Sequence, residues 1–250
     1  IVANNMVQLG FDAAGNQVTT PQDMEGIQAQ NTGTREYYFN SIFIGGSVVN
    51  ANNDTMAFAD FSSGTRILKN NIFWNARSSA SGGAKNYAIY VNQAPPPPGL
   101  SSDYNDLYAT GTNGFVGRLC CGVDYPTLAA WQAASGQDAH SISMDPQFIN
   151  PNGNASSVDL HILNASPCVG AGITIPGITV DLDGDPRANP RQERPLRSQQ
   201  HARVDIRIAA LRGHVAFPRL RGHRDMRQIV HGRQNAAVIA KRTCHRRNDG

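Results

Sequence analysis

Two stretches of this chain, IVANNMVQ (1–8) and ILKNNIFW (67–74), match position for position: two apolar residues, one variable residue, Asn-Asn, then two apolar residues. Asparagine is a poor strand former, so its return inside apolar runs constrains the fold more than any other feature. YYFNSIFI (37–44) keeps the pattern with Ser41 in place of the second Asn, and SDYNDLYA (102–109) keeps it more loosely with Asp106 there. The leading asparagines fall at 4, 40, 70 and 105, giving steps of 36, 30 and 35 residues. Repeats of this size built from short strands imply a solenoid. Helical repeats do not fit, because Gly and Asn are dense between the motifs and apolar residues at 3.6 spacing are missing.

Each motif reads as a short strand, a sharp bend and a second short strand. Asparagine tolerates the left-handed conformation a bend needs, and its amide can pair with the equivalent amide one coil away. The expected ladder comprises Asn4, Asn5, Asn40, Asn70, Asn71 and Asn105. SIFIGGSVVN (41–50) and NYAIYVNQ (86–93) supply further strands. NANNDTMAFADFSSG (50–64) and QAPPPPGLS (93–101) are expected as loops projecting from the cylinder, the second because proline cannot join a ladder.

Beyond the repeats, PTLAAWQAASG (126–136) reads as a helix, with Asp124 near its start, Pro126 in its first turn and Gly136 as its stop. HSISMDPQFINP (140–151), VDLHILNASPCVGAG (158–172) and ITVDLDGDPR (178–187) follow. A solenoid ends in an open apolar cross-section and unpaired strand edges that must be covered. Trp131, Phe148, Leu160 and Ile162 are therefore expected to pack as a cap.

The Asn-Asn repeats and the linked terminal motifs together resemble right-handed parallel β-helix proteins of the pectin-lyase-like superfamily. The terminal motifs resemble the C-terminal part of secreted bacterial members. That resemblance implies an all-β, right-handed parallel β-helix with a short capping helix over residues 1–187. It also implies a secreted or cell-surface location, a monomer, and a polysaccharide as the class of partner. It implies no particular activity, since the fold hosts many. Polygalacturonases of this fold use paired aspartates with G-H-G and R-I-K motifs, and none of these occurs here. The expectation is a structural or glycan-binding module without a catalytic set; the alternative is a fragment of a polysaccharide lyase or glycoside hydrolase.

Asp54, Asp60, Arg66 and Lys69 are the candidates for chemistry. A base with carboxylates on one side is the least a lyase requires, though scattered surface charge would look the same. Asp181, Asp183 and Asp185 surround Gly184 as in half of a calcium loop. The distal glutamate of such a loop is absent, so a carboxylate-rich turn is the competing reading, and no other cofactor is expected. His140 and His161 are isolated, with His161 pointing outward from a strand. Cys120 and Cys121 have the wrong spacing for a zinc site. A bridge from one of them to Cys168 competes with free thiols. No apolar run of about 18 residues exists to cross a membrane.

The net charge of +3 averages two unlike parts. Residues 1–190 carry 7 Lys+Arg and 15 Asp+Glu, or −8; residues 191–250 carry 15 and 4, or +11. Solenoid spacing stops at about 188. The basic tail is read as a reading-frame change, with a polyanion- or nucleic-acid-binding arm as the competing explanation. Ile1 begins with a repeat already under way, so the N-terminus is expected to be truncated and its signal peptide missing.

Overall fold

The computed structural model describes residues 1–187 apart from 31, 50 and 51; the basic segment 188–250, with Cys244, lies outside the described residues. Four successive coils stack as a parallel β-solenoid. The first comprises β1 (Val2–Ala3), β2 (Met6–Leu9) and β3 (Met24–Ala29). The second comprises β4 (Thr34–Tyr38), β5 (Ser41–Ile44), the short β6 (Ser47–Val48) and β7 (Thr55–Asp60). The third runs through β8 (Thr65–Lys69), β9 (Ile72–Asn75), the short β10 (Ser78–Ser79) and β11 (Asn86–Val91). The fourth holds β12 (Leu100–Asp103), β13 (Asp106–Ala109) and β14 (Gly114–Leu119). After it come β15 (Val123–Tyr125), α1 (Leu128–Ser135), β16 (Phe148–Asn150) and β17 (Asp159–Ile162). Among the described residues no helix is long and apolar enough to cross a membrane.

Three parallel sheets form the walls: β1-β4-β8-β12, β2-β5-β9-β13 and β3-β7-β11-β14, the last extended by antiparallel β15. Their inner faces share one core that includes Ile42, Ile44, Phe58, Leu68, Phe73, Ile89 and Leu107. TMAFAD, expected as part of a loop, is β7, and every one of its residues is buried. Its small and apolar residues are covered on both faces, so the polar alternation that marks a half-exposed strand is missing.

The strand register separates two roles that the asparagine motif had merged. Val2 pairs with Tyr37, Tyr37 with Leu68, and Leu68 with Ser102, which places Asn5, Asn40, Asn71 and Asn105 in one row. Asn40 thus aligns with the second asparagine of each pair, not the first. The amides stack continuously: Asn5 Nδ2 donates to Asn40 Oδ1 (2.8 Å), Asn40 to Asn71 (2.9 Å) and Asn71 to Asn105 (3.0 Å). Asn105 continues it to buried Asp138, which also accepts from Trp131 Nε1 at 2.8 Å.

The preceding row is the bend. Asn4, Phe39, Asn70 and Tyr104 all have φ between 55° and 59°. Only two of these are asparagine, and the aromatic pair occupies a region costly for bulky side chains. The row's outward side chains dock the C-terminal segment. Asn70 Nδ2 donates to Ile173 O (2.6 Å) and its Oδ1 accepts from Ile173 N (2.8 Å). Asn4 Nδ2 donates to Val180 O at 3.0 Å, and the Arg187 guanidinium lies 3.6 Å above the Phe39 ring. Tyr104 stacks on His140, with ring centroids 4.9 Å apart.

The terminal motifs close the last coil and wrap its flank. Thr127 is the N-cap of α1, accepting from Ala130 N, and Gly136 ends it at φ 68°. Pro126 therefore precedes the cap, and Asp124 belongs to β15 instead of the helix start. Trp131 is fully buried against β14, where any Cβ on Gly117 would meet its ring at 2.3 Å. Phe148 and Leu160, expected over the open end, instead join Phe43 and Val158 in a cluster on the outer face of the second sheet, with Ile162 packed against it.

Candidate functional site

The four candidate residues do not form one site. Asp60 and Arg66 do meet, but both side chains are 0% exposed. Arg66 Nε donates to Asp60 Oδ2 at 2.6 Å, and its remaining nitrogens bond Gly64 O, Pro98 O and Gln93 Oε1. Ser62 N completes the Asp60 carboxylate at 2.9 Å. This buried, satisfied pair is a staple that holds the polyproline loop to the coil, and no substrate reaches it. Arg66 therefore points into the protein. Lys69 lies at the far end of the same strand, β8, next to the bend at Asn70.

Asp54 belongs to a different constellation, on the outer face of the third sheet. Strand register builds two rows there. Glu25, Met56, Tyr87 and Phe115 form one; Gln28, Ala59, Tyr90, Arg118 and Asp124 form the other. Phe61 packs beside Tyr90 with centroids 5.4 Å apart, and Tyr87 lies 5.9 Å from both Tyr90 and Phe115. Met56, Ala59 and Tyr87 are buried, whereas Phe61, Tyr90 and Phe115 are partly open.

Charges are threaded between the rings. The Arg118 guanidinium sits 5.7 Å from the centroids of both Tyr87 and Tyr90, and the Lys85 ammonium 5.6 Å from that of Phe115. Arg118 Nη1 lies 3.7 Å from Asp54, and Nε 3.8 Å from Asp124. Lys85 also pairs with Asp124, while its backbone N–H donates to Asp54 Oδ1 at 2.9 Å. Tyr87 is the hinge of the network: its hydroxyl donates to Asp124 (2.8 Å) and accepts from Arg118 (2.9 Å). Burial pushes the Tyr87 phenol up, so it stays protonated in that role. Burial also raises Asp54, against its bond from the Lys85 amide and the nearby Arg118 charge. Arg118 and Asp54 remain 24% and 26% exposed, enough to meet a ligand. Their interaction is correspondingly screened.

Of this set the sequence offers only Asp54 as a candidate for chemistry, and it places Asp124 at a helix start. Lys85, Tyr87, Tyr90, Arg118 and Asp124 come from two coils and the terminal hairpin, separated by tens of residues. The usable signal was the aromatic pair Tyr87 and Tyr90 in the run NYAIYV.

The acidic turn is self-contained. Asp181 Oδ1 accepts from the amides of Asp183 (3.0 Å) and Asp185 (2.9 Å), and Asp183 Oδ2 lies 2.7 Å from His161 Nε2. His161 also meets Asp159 at 2.6 Å; burial lowers its pKa, but the two carboxylates outweigh this and raise it. Among the described residues no group of three or more His, Cys, Asp or Glu is arranged to hold a metal ion. The bridge from Cys120 or Cys121 to Cys168 is not formed, and Cys168 Sγ donates to Asp106 at 3.3 Å.

The chain matches no family model, no curated protein and no solved structure.

Proposed function

We propose that the chain is an extracellular or cell-surface β-solenoid module that binds a polysaccharide along the outer face of its third sheet. The observation that carries this reading is the row of Phe61, Tyr90 and Arg118, part-exposed and crossing successive coils, with Asp54 and Lys85 at its side. Aromatic rings offer apolar faces to sugar rings, and the flanking carboxylates and cations supply acceptors and donors for hydroxyl groups. Asp54 and Asp124 offset Arg118 and Lys85, and Glu25 in the adjoining row adds one more acid, so the face has no excess of cations, which favours a neutral glycan over a uronate polymer. The secreted location rests on the resemblance of the terminal motifs to secreted β-helix proteins.

The test is calorimetric titration of the full chain with a soluble neutral β-glucan and, separately, with polygalacturonate. Binding of the first that is weakened by Arg118→Ala supports the reading; binding of neither polymer, or of polygalacturonate alone, overturns it. A glycoside-hydrolase reading is favoured by one observation: Asp54 and Asp124 both lie within 4 Å of Arg118, and burial raises Asp54 in the direction a general acid needs. Release of reducing ends from the same glucan, lost in Asp54→Asn, would establish it.

A further inference from the structure

After β17 the described chain runs along the flank of the coils and reaches a small acidic hairpin at 179–187. Val180 bridges Pro186, Asp181 N donates to Asp185 O (2.9 Å) and Arg187 N to Thr179 O (2.8 Å), so the hairpin holds its own shape. Its ties to the rest of the fold come from three directions. Asn4 donates to Val180 O, Arg187 lies over Phe39 and bonds Asn4, and Asp183 meets His161 on β17. The last tie is chemically unlike the others. His161 Nδ1 lies 2.6 Å from Asp159 Oδ1, and Nε2 lies 2.7 Å from Asp183 Oδ2. A neutral imidazole carries one N–H and donates to only one of them, leaving the other nitrogen's lone pair against a carboxylate. Only the imidazolium donates to both. The two acids are not equivalent. Asp159 is two residues away on the same strand and also accepts from the His161 amide at 3.1 Å, whereas Asp183 belongs to the hairpin.

We propose that His161 is a proton-operated latch for the acidic hairpin: charged, it clamps Asp183 to β17, and on losing its proton it keeps Asp159 and releases Asp183. The proton leaves Nε2 for water, and the one that remains sits on Nδ1, where Asp159 is fixed by the strand. Among the described residues, Asp159 and Asp183 are the ionisable groups that bond the ring. β16, paired with β17, and β5 behind it carry none. The segment 163–180 holds only Cys168, which is bonded to Asp106. Asp181 and Asp185 share the turn of Asp183 and add to its negative charge, while Arg187, the hairpin's own cation, is turned to Phe39 and Asn4. Burial lowers the His161 pKa, but the bonds and charges of Asp159 and Asp183 raise it overall. The latch is therefore at full strength below the ordinary histidine value of about 6.5 and is lost as pH rises through the raised one. Because the hairpin lies against Asn4 and Phe39, its release uncovers the row of left-handed bends in the first two coils. The latch is independent of the glycan face on the third sheet.

Deuterium exchange of the full chain, read by mass spectrometry and corrected for the pH dependence of chemical exchange, tests the latch. Protection of the 179–187 amides should fall by about tenfold or more between about pH 6 and pH 9. Amides of β11, which open only with the whole fold, are the reference for any change in overall stability. His161→Gln has no proton to lose and should leave the hairpin weakly protected at both pH values. His161→Lys keeps its charge across this range and should leave it protected at both. Asp183→Asn inverts the chemistry, since its amide donates to the neutral ring, so protection should survive at the higher pH. In the nitrogen-15-labelled chain, the His161 ring should carry protons on both nitrogens at the lower pH and on Nδ1 alone at the higher. Hairpin protection that ignores pH, the same loss with pH in His161→Gln as in the unmutated chain, or a neutral His161 at the lower pH would each overturn the proposal.

Discussion

The second and third sheets both carry aromatic side chains on their outer faces, and the solenoid treats the two faces differently. On the second sheet, Phe43, Trp74 and Tyr108 occupy one register row, and Phe11 stacks beside Phe43. The hairpin β16–β17 lies over them, bringing Phe148 to 5.9 Å from Trp74, and Gln8 ties it down through Pro151 O and Gly153 O. On the third sheet no such hairpin arrives among the described residues; Arg118 and Lys85 lie over the rings instead. A row of rings on a solenoid is thus not itself a binding surface. What covers it decides: an apolar hairpin makes a second core, whereas a charged clamp leaves donors, acceptors and ring faces in reach.

The sharpest way to break the comparison is to damage the covered face. Phe148 is 6% exposed, and Phe148→Ala leaves a cavity above Trp74. The expected loss is about 3–5 kcal/mol of stability, read from urea unfolding, with a red shift of Trp74 fluorescence as water enters. Glucan binding by the protein that remains folded should be unchanged. If Phe148→Ala abolishes binding without unfolding, the two faces are not independent.

The covered face also holds a carboxyl. Asp106 accepts from Met144 N and the Cys168 thiol, and burial pushes its pKa up to about 7. Between an unfolded pKa near 4 and that value, the native state keeps a proton that the unfolded chain releases. Stability should therefore fall as pH rises through this window and level off above it, by on the order of 1–4 kcal/mol in total. Asp106→Asn should flatten the slope in urea unfolding followed from about pH 4 to 8. On the open face Asp54 is raised too, but it is more exposed and has Arg118 beside it, so Asp54→Asn should change the profile much less. Equal slopes for the two variants would contradict the assignment of one face as sealed and the other as open.

Smaller again is the effect of the hydroxyl that organises the clamp. Tyr87→Phe removes a donor to Asp124 and an acceptor for Arg118, while Lys85 still partners Asp124. A loss of about 1 kcal/mol is expected, measured by urea unfolding, together with weaker glucan binding. An unaltered affinity would mean that the ring contacts and the carboxylates of Asp54 and Asp124 hold Arg118 without the hydroxyl.

The architecture was legible because a solenoid repeats its corner, and the corner was written in asparagine. The register was misread by one residue in the second and fourth coils for a physical reason. Two adjacent positions have different tasks, one adopting the left-handed bend and one stacking its amide, and asparagine serves both. Where Phe39 and Tyr104 fill the bend, only the ladder asparagine remains to align on, and it was matched to its neighbour. The strand TMAFAD was hidden by burial on both sides. The open face was nearly invisible, since it assembles only when coils stack: Asp54 beside Lys85, Tyr90 beside Arg118, Arg118 opposite Asp124. Arg66 was the converse case, a cation that looked available and is enclosed by Asp60, Gln93 and the polyproline loop.

The mildest substitution for the fold should therefore be among the strongest for the ligand. Tyr90 is partly exposed, and its neighbours Phe61 and Tyr87 keep their own contacts. Tyr90→Ala should cost less than about 1 kcal/mol of stability, within the range of surface changes that leave the core intact. The same variant removes the ring nearest the centre of the row, between Phe61 and Arg118. Glucan affinity should fall about tenfold or more, as for aromatic anchors at the centre of other interfaces. Trp74→Ala reverses the pattern, with a large loss of stability and no direct effect on binding. Calorimetric titration of both variants against the same glucan reads this inversion. If Trp74→Ala weakens binding and Tyr90→Ala does not, the covered and open faces have been assigned the wrong way round.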